Sequence, residues 1–319
     1  MVARLTFSMP RLTDIARSLR QQPGYTLMRG MARFGWVRHL VGQSRRLLQA
    51  GRLRDHLAEC ESQMAYSMFA DIDRAHFVST LRADGVAFGL RLPPAITDDI
   101  LRYAAEQPCF ADRMPDRGFL VEERTLTETK LGKPILVAQY FNAAGQCAAI
   151  DRLLTDPALQ WIAGNYLGSV PTFVGSNLWW TFPVQALEED RDRHAHRFHR
   201  DVDDFRFFKF FFYLTDVNSG DGAHVCVIGS HRQPPILRAG DRWRIRRYSD
   251  AEVGKCFSIE QTIEVCGQAG TGFAENTLCL HKGLTPTHEP RLLLQLQFAL
   301  FDHGVMHDVR PPAALRMLA

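Results

Sequence analysis

The sequence lacks the features that define several classes of protein. It contains no run of about 18 uncharged apolar residues, and its first residues, MVARLTFSMPRLTD, lack the continuous apolar stretch of a secretory signal. Its seven cysteines are scattered without a CxxC pair, which excludes a disulfide framework or a zinc cage. These absences favour a soluble, cytoplasmic protein with reduced cysteines and no transmembrane segment.

Acidic residues are scarce at the N-terminus. The first 54 residues contain eleven arginines and one acid, Asp14, in a chain whose net charge is only +3. Nucleic acid, anionic lipid or an acidic partner could use such an asymmetry. The plainer interpretation is that the arginine stems cover apolar surface of the main domain. We predict this second role and no nucleic-acid partner, and leave open peripheral contact between this basic segment and a membrane.

The composition is that of a globular protein with a large core. The chain has 319 residues, of which 46% are hydrophobic and 23% charged. Apolar residues recur every three to four positions over residues 10–65, which predicts helix. We therefore expect an arginine-rich helical segment over residues 1–70, packed on a second domain over residues 71–319.

The second domain begins with helical patterns and continues with strand patterns. One helix is predicted to open at Pro94 with a cap near Thr97, and another spans 155–168 with Thr155 or Asp156 as its cap. The C-terminal half then consists of short aromatic or β-branched stretches separated by Gly, Pro, Asp and Asn. We expect an α+β fold in which N-terminal helices support a β-sandwich or β-barrel.

A candidate metal site lies in the stretch RFHRDVDDFRFFKFFFYLTDV, residues 197–217. Side chains two apart on a strand face the same side, so His199 and Asp201 can converge. Imidazole and carboxylate together suit iron(II), manganese or zinc. His281, in TLCLHKG at the end of a later predicted strand, is the best candidate for a third ligand. Two histidines and one carboxylate on one face leave three open positions, the arrangement of non-haem iron oxygenases.

An arginine begins the last predicted strand, RLLLQLQF, ten residues after His281. A guanidinium group at the start of an apolar strand requires an anionic partner, and the planar fork of Arg291 suits a carboxylate. Strict alternation places Arg291 on one face with Leu293, Gln295 and Gln297. We expect that face to line the barrel interior.

These motifs together resemble one family. His199-Arg200-Asp201, FFKFFFYLTDV, NSGDGAHVCVIGSH, GQAGTGFAENTLCLHKG and the Arg291 strand have the order and spacing of the phytanoyl-CoA dioxygenase-like family. The resemblance covers residues 70–301 and is strongest from residue 197 onward. It implies a double-stranded β-helix, a jelly-roll related to the cupins, and the activity of an iron(II)- and 2-oxoglutarate-dependent dioxygenase.

The resemblance also implies a role for each motif residue. His199, Asp201 and His281 would hold Fe(II), and Arg291 would bind the distal carboxylate of 2-oxoglutarate. With O2, the implied reaction hydroxylates a small-molecule or lipid-like substrate and releases succinate and CO2. Asp201 favours hydroxylation or desaturation, since related halogenases carry Gly or Ala there. Leu293 departs from the wider superfamily, where many members have Ser or Thr, and this removes one hydrogen bond to the cosubstrate.

Several polar or aromatic residues near these motifs have two interpretations. Lys209 must pair with a loop acid or contact cosubstrate or substrate, because a buried ammonium group requires an anion or solvent. Trp179 and Thr181 share a strand face that either lines the pocket or packs in the barrel core. Asp203 and Asp204 are predicted to neutralise neighbouring arginines.

Two charged loops flank these strands. Residues 231–250 carry six arginines and are either a solvated insertion or a rim that binds an anionic substrate, such as a phosphate, a CoA ester or a carrier-bound acyl group. Arg244 and Arg246 are the candidates for the second role. His194 and His196, in the earlier loop, are predicted to be solvated.

Two other functions remain open. A cupin-like metalloenzyme could use the same His-Asp-His site for isomerisation or hydrolysis without 2-oxoglutarate, although Arg291 argues against it. A catalytically silent barrel could bind a ligand or a partner through the basic N-terminal segment. The intact set of predicted metal ligands argues against that role without excluding it.

Overall fold

The computed structural model describes residues 20, 22–185, 194–232 and 246–318. Its α-helices in this part of the chain are α1 Pro23–Met31, α2 Gly35–Leu48, α3 Ala50–Ser62, α4 Arg74–Asp84, α5 Pro94–Glu106, α6 Arg124–Leu131, α7 Ala148–Leu154, α8 Pro157–Leu167 and α9 Asp250–Val253. Its strands are β1 Val86–Arg91, β2 Cys109–Ala111, β3 Gly118–Phe119, β4 Val137–Tyr140, β5 Thr172–Thr181, β6 Phe207–Tyr213, β7 His224–Val227, β8 Thr262–Val265, β9 Thr271–Glu275, β10 His281–Gly283 and β11 Arg291–Ala299.

The strands form two antiparallel sheets. The larger has eight strands in the order β1-β9-β6-β11-β5-β4-β2-β3, and the smaller has three in the order β10-β7-β8. This confirms the predicted combination of helices with a β-rich C-terminal half. Strands β2, β3 and β4, in the N-terminal half, were not predicted. They are only two to four residues long, too short to show a periodic pattern.

The two faces of strand β6 contact two different hydrophobic cores. Phe208, Phe210 and Phe212 pack in the core between the large sheet and the helices. Phe211 and Tyr213 face the opposite way, into a second core between the two sheets. Because β6 lies between β9 and β11 and is buried on both faces, its sequence is almost continuously apolar. Lys209 has the same parity as Phe211 and therefore belongs to the interior face.

The helix boundaries test two predicted caps. Asp156 accepts hydrogen bonds from the backbone N–H groups of Ala158 and Leu159 at the start of α8, as predicted. The cap predicted near Thr97 is wrong, because α5 begins at Pro94 with Pro93 before it and Thr97 lies buried within the helix. Proline has no N–H group to satisfy and its fixed φ suits the first helical turn, so no polar cap is needed there.

The N-terminal helices pack on the rest of the chain. A Cβ on Gly164 of α8 would lie 3.3 Å from side-chain atoms of α3, so the missing side chain permits close packing of these helices. Met28 and Ala32 are buried against Val202. Of the predicted N-terminal segment, residues 1–19 and residue 21 fall outside the part of the chain described, and the boundary at residue 70 stays a prediction. No helix among the described residues is both long enough and apolar enough to cross a membrane.

Candidate metal centre

Backbone pairing brings the two predicted histidine ligands together. The N–H of His199 donates to the carbonyl of His281 at 2.9 Å, and the N–H of His281 donates back at 3.0 Å. This antiparallel bridge places the segment before β6 beside the first residue of β10. The two rings lie 4.2 Å apart between centroids. A local backbone ladder thus unites residues that are distant in sequence.

Asp201 completes the cluster. Its backbone N–H donates to the carbonyl of Thr277 at 2.8 Å, which keeps it on the same side as the histidines. Its Oδ1 is 3.7 Å from His199 Nε2, and its Oδ2 is 3.5 Å from His281 Nε2. The ligand atoms of all three residues lie within 4.8 Å of one another. We call His199, Asp201 and His281 the candidate metal centre.

Carbonyl groups fix the orientation of both rings. Nδ1 of His199 lies 3.0 Å from the carbonyl oxygen of Arg197, and Nδ1 of His281 lies 3.0 Å from that of Cys279. Because a carbonyl only accepts, each Nδ1 carries a hydrogen and, in the neutral ring, the Nε2 lone pair faces the cluster. Metal-binding histidines commonly have this arrangement.

The two histidines differ in their affinity for protons. Burial, and after it the neighbouring His281, lowers the pKa of His199 well below its ordinary value. Burial by itself would lower the pKa of His281 as well, but Glu275 and Asp201 raise it. A proton would therefore compete with a metal ion mainly at His281.

Lys209 forms an ion pair with the candidate metal centre itself. Its Nζ lies 2.6 Å from Oδ2 of Asp201 and 3.4 Å from Oδ2 of Asp203. Burial by itself would raise the pKa of Asp201, yet Lys209 and then His281 hold it well below its ordinary value. The predicted pairing with an acid is present, and the acid is a predicted metal ligand; contact of Lys209 with cosubstrate or substrate stays a prediction.

Neither of the two neighbouring acids pairs with an arginine among the described residues, which contradicts that prediction. Asp203 contacts Lys209 and also accepts hydrogen bonds from Tyr25 at 3.4 Å and Gln297 at 3.3 Å. Asp204 is fully buried and accepts from the backbone N–H groups at the end of β11, Leu300 at 2.7 Å and Phe301 at 2.9 Å. Sequence proximity to arginines misled the prediction because both side chains turn inward.

Arg291 is a buried cation with few partners among the described residues. Only 2% of its surface is exposed. Nη1 donates to the carbonyl of Gly222, and Nη2 donates to Oγ1 of Thr181 at 3.2 Å. Among the described residues, its Nε has no hydrogen-bond partner and no carboxylate lies within ion-pair distance. Thr181 therefore supports Arg291, while Trp179 packs against the core between the sheets opposite Leu293.

Sequence reasoning missed a buried pair beside the centre. Nε2 of His224 lies 2.6 Å from Oε2 of Glu275, and the His224 ring lies 5.6 Å from that of His281. Glu275 is completely buried, and its Oε1 has no partner among the described residues. Burial lowers the pKa of His224 even though Glu275 opposes this shift. The sequence did contain a signal for this pair: Glu275 lies at the end of a largely apolar strand, and a buried carboxylate requires a polar partner.

The charged loops give mixed results. His194 is buried, with Nε2 3.9 Å from Oδ1 of Asp112, and His196 Nδ1 lies 2.7 Å from Oγ1 of Thr285. The prediction that both are solvated is therefore wrong for His194, and His196 is half-buried. The contacts of His194 with Asp112 and of His196 with Thr285 could not be inferred from the charge of the loop.

The two predicted rim arginines receive less support. Arg244 lies outside the described residues. Arg246 donates to Oε1 of Glu252 at 3.1 Å and lies 4.1 Å from the ring centroid of Tyr248. A role for Arg246 in binding substrate stays a prediction.

Comparison with known proteins gives structural likeness alone. The chain matches no protein-family profile and no curated protein. The non-heme alpha-ketoglutarate-dependent epimerase SnoN from nogalamycin biosynthesis is 16% identical, with a TM-score of 0.47 over 72% of this chain and 82% of that one. HygX from Streptomyces hygroscopicus, solved with nickel, 2-oxoglutarate and hygromycin B bound, is 12% identical, with a TM-score of 0.48 over 76% and 94%. AviO1 from Streptomyces viridochromogenes is 16% identical, with a TM-score of 0.45 over 71% and 95%. TM-scores below 0.5 leave the function of this chain to be inferred from its own side chains.

Proposed function

We propose that the chain is an iron(II)- and 2-oxoglutarate-dependent oxygenase, built on a double-stranded β-helix, that hydroxylates a small molecule. The observation that carries this proposal is the convergence of two imidazole Nε2 atoms and one carboxylate within 4.8 Å. Two nitrogens and one oxygen form a donor set that suits Fe(II) and leaves open coordination positions. His199, Asp201 and His281 would hold the ion.

The surroundings of Arg291 support 2-oxoglutarate as the cosubstrate. A buried guanidinium group without a carboxylate partner among the described residues is unfavourable unless an anion binds to it. The distal carboxylate of a dicarboxylic keto acid would supply that anion. A metalloenzyme that ignores 2-oxoglutarate would give no reason for this buried cation, so the oxygenase is preferred.

The side chains around the centre have separate tasks. Bound iron with 2-oxoglutarate and O2 would supply oxidative decarboxylation, which yields succinate and CO2 and is coupled to hydroxylation of the substrate. Lys209 holds Oδ2 of Asp201, which leaves Oδ1 for the metal. The rings of Phe211 and Phe273 and the side chain of Leu293 form a dry wall between the sheets, and such a wall keeps water from the reacting groups. Because Asp201 supplies the third ligand, hydroxylation or desaturation is expected in preference to halogenation.

An anionic or acyl substrate receives no support from the described part of the rim. Arg246 is engaged by Glu252 and Tyr248, which is sufficient to explain its position. If Arg246 does bind an anionic substrate, the Arg246→Glu variant would raise the KM for that substrate without abolishing slow, uncoupled turnover of 2-oxoglutarate. An unchanged KM would remove that role.

The decisive experiment is spectroscopic. Anaerobic addition of iron(II) and 2-oxoglutarate should produce the weak visible charge-transfer band of a chelated keto acid. The His199→Ala variant should lose it, and Arg291→Ala should need far more 2-oxoglutarate to produce it. His76→Ala, which removes an exposed histidine on α4, is the matched control and should retain the band.

Other outcomes would select the other functions. Metal binding without any spectral response to 2-oxoglutarate, in a protein indifferent to Arg291→Ala, would indicate the cupin-like metalloenzyme. Absence of metal binding and of succinate formation in air would indicate a binding module.

A further inference from the structure

A small cavity is lined by Asp203, the acid that shares Lys209 with Asp201, and lies away from Arg291. Gln297 lines the cavity. It lies six residues after Arg291 on β11, which is about 20 Å along the strand at about 3.4 Å per residue. Gln297 is directly opposite Lys209 in the β11–β6 register. Asp203, which pairs with Lys209, is also in the wall. The cavity is therefore linked to Asp201 through two ion pairs, from Asp203 to Lys209 and from Lys209 to Asp201.

Apart from the phenol of Tyr25, the ionisable groups of the cavity wall are acids and histidines. The acids are Asp203, Asp302 and Asp308, and the histidines are His303 and His307, with no lysine or arginine among the described lining residues. The rings of Tyr25 and Phe301 also line the cavity. The guanidinium group of Arg29 lies 5.6 Å from the Tyr25 ring centroid, and that of Arg45 lies 4.8 Å from the Phe301 ring centroid, but neither arginine lines the cavity. The wall itself is therefore rich in acceptors and poor in cations.

Asp308 is the acid whose hydrogen bonds are incomplete. It is only 1% exposed, and its Oδ2 accepts from the N–H and the hydroxyl of Ser176 at 2.9 and 3.2 Å. Its Oδ1 is buried and has no hydrogen-bond partner among the described residues. Leaving a carboxylate oxygen unsatisfied in a low-dielectric site is costly. Burial accordingly raises the pKa of Asp308 above its ordinary value.

The backbone of β5 lets that oxygen approach closely. Gly175 lines the cavity, and a Cβ placed on it would lie 2.9 Å from Oδ1 of Asp308. Gly175 has φ +150° and adjoins a bulge in the β5–β11 register, where Val174 has no counterpart. Asp308 is fixed in turn by its carbonyl, which accepts from the N–H of Asn142 at 2.8 Å. The glycine thus lets Oδ1 of Asp308 lie against β5 in the cavity wall without a donor from that strand.

The size of the cavity limits what can bind. Its volume is about 30 Å³, enough for about two water molecules. A head group such as an ammonium fits, whereas a ring does not. We propose that the cavity is a subsite for a protonated amine of the substrate, bound by Oδ1 of Asp308 and linked to the candidate metal centre through Asp203 and Lys209. The assignment of the amine to a substrate rests on the proposed oxygenase function.

The test compares two small probes of similar shape and different charge. Dissociation constants of ethylamine and ethanol would be measured by ligand-observed NMR on the full-length protein, with and without zinc(II) and 2-oxoglutarate. We expect ethylamine to bind at least tenfold more tightly than ethanol, and Asp308→Asn to abolish the difference. Asp216→Asn removes an exposed acid at the far end of β6 and is the matched control, which should keep the preference.

A second variant protects the test against misfolding of Asp308→Asn. Val305→Phe fills the cavity from the loop while leaving the carboxylate in place, and it should also abolish ethylamine binding. Thermal unfolding of each variant checks that it is folded.

Several results would overturn the amine subsite. Equal binding of ethylamine and ethanol would do so, as would a preference for ethylamine that survives both Asp308→Asn and Val305→Phe. A loss of that preference in Asp216→Asn as large as in Asp308→Asn would also contradict the subsite. So would a crystal soaked in ethylamine that shows only ordered water beside Oδ1. Failure of the amine to bind while the charge-transfer band forms would count against this subsite alone. Amine binding in a protein that gives no band would count against the oxygenase alone.

Discussion

At the scale of single residues, Asp201 is both the partner of Lys209 in an ion pair and a predicted metal ligand. One of its oxygens is held by Lys209 at 2.6 Å, and the other lies 3.7 Å from Nε2 of His199. A carboxylate with one oxygen fixed by an ammonium group cannot rotate freely, so its second oxygen is oriented before a metal arrives. The lysine within FFKFFFY is therefore a positioning residue for the predicted ligand.

The support that Thr181 gives to Arg291 can be measured. Thr181→Val replaces the hydroxyl by a methyl group of similar size, so that Nη2 of Arg291 loses its acceptor. Loss of a hydrogen bond to a charged group costs about 1.5 kcal/mol, so we expect the KM for 2-oxoglutarate to rise about tenfold with a small change in kcat. Succinate formation measured against 2-oxoglutarate concentration checks this. Thr172→Val, at the other end of β5, should leave KM unchanged; an equal rise in both variants would contradict the prediction.

The His224–Glu275 pair makes a prediction about stability. Either His224→Leu or Glu275→Leu leaves a buried polar partner unsatisfied, and each should lower the free energy of unfolding by about 2–4 kcal/mol. The double variant removes both groups and should cost clearly less than the sum. Urea unfolding of the four proteins gives the coupling energy directly. Strict additivity would mean that the two side chains do not interact.

At the scale of elements, Asp156 does more than cap α8. Besides Ala158 and Leu159, its carboxylate accepts from the hydroxyl of Ser67 at 2.8 Å and the N–H of Met68 at 2.7 Å. It therefore joins the segment after α3 to the helix on which α3 packs. A helix cap alone stabilises by about 1 kcal/mol, and the two further bonds add to this.

Asp156→Ala should consequently destabilise the protein by about 2–4 kcal/mol. The loss would be seen as a lower midpoint in chemical unfolding, followed by circular dichroism. Asp55→Ala changes an exposed acid on α3 and should alter stability by less than about 0.5 kcal/mol. A loss of 1 kcal/mol or less for Asp156→Ala would show that the contacts to Ser67 and Met68 contribute nothing.

At the scale of the whole molecule, the candidate metal centre exists only when the chain is folded. His199 and Asp201 precede β6 in the large sheet, and His281 opens β10 in the small sheet. An unfolded chain holds these groups far apart. A metal ion should thus bind the folded state alone and stabilise it.

Manganese(II) at 100 times its Kd should therefore raise the free energy of unfolding by about 2.7 kcal/mol. Thermal unfolding with manganese and then with excess chelator measures the shift and its reversal. His281→Ala should remove the shift, whereas His76→Ala should keep it. A shift of equal size in His281→Ala would place the metal elsewhere.

The sequence by itself determined the types and spacing of the groups that matter. Strand alternation predicted that His199 and Asp201 share a side and that Arg200 does not. The structure has these residues before β6 and outside the named strands, yet His199 and Asp201 converge, and Arg200 donates to the carbonyl of Ser230 at 2.6 Å. Asp156 was identifiable as a cap because a side-chain acceptor before a proline-led helix has a local role. Both inferences concern neighbours along the chain, for which backbone geometry suffices.

Only the tertiary structure decided which distant groups meet. The ladder between the segment before β6 and β10 sets His199 against His281, and the same packing pairs Lys209 with Asp201 and His224 with Glu275. It also sets one oxygen of Asp308, which has no hydrogen-bond partner in the described part of the chain, beside a glycine of β5. Such contacts depend on sheet register and on the path of loops, which no periodicity encodes, because long-range pairing is selected by the free energy of the whole packed core.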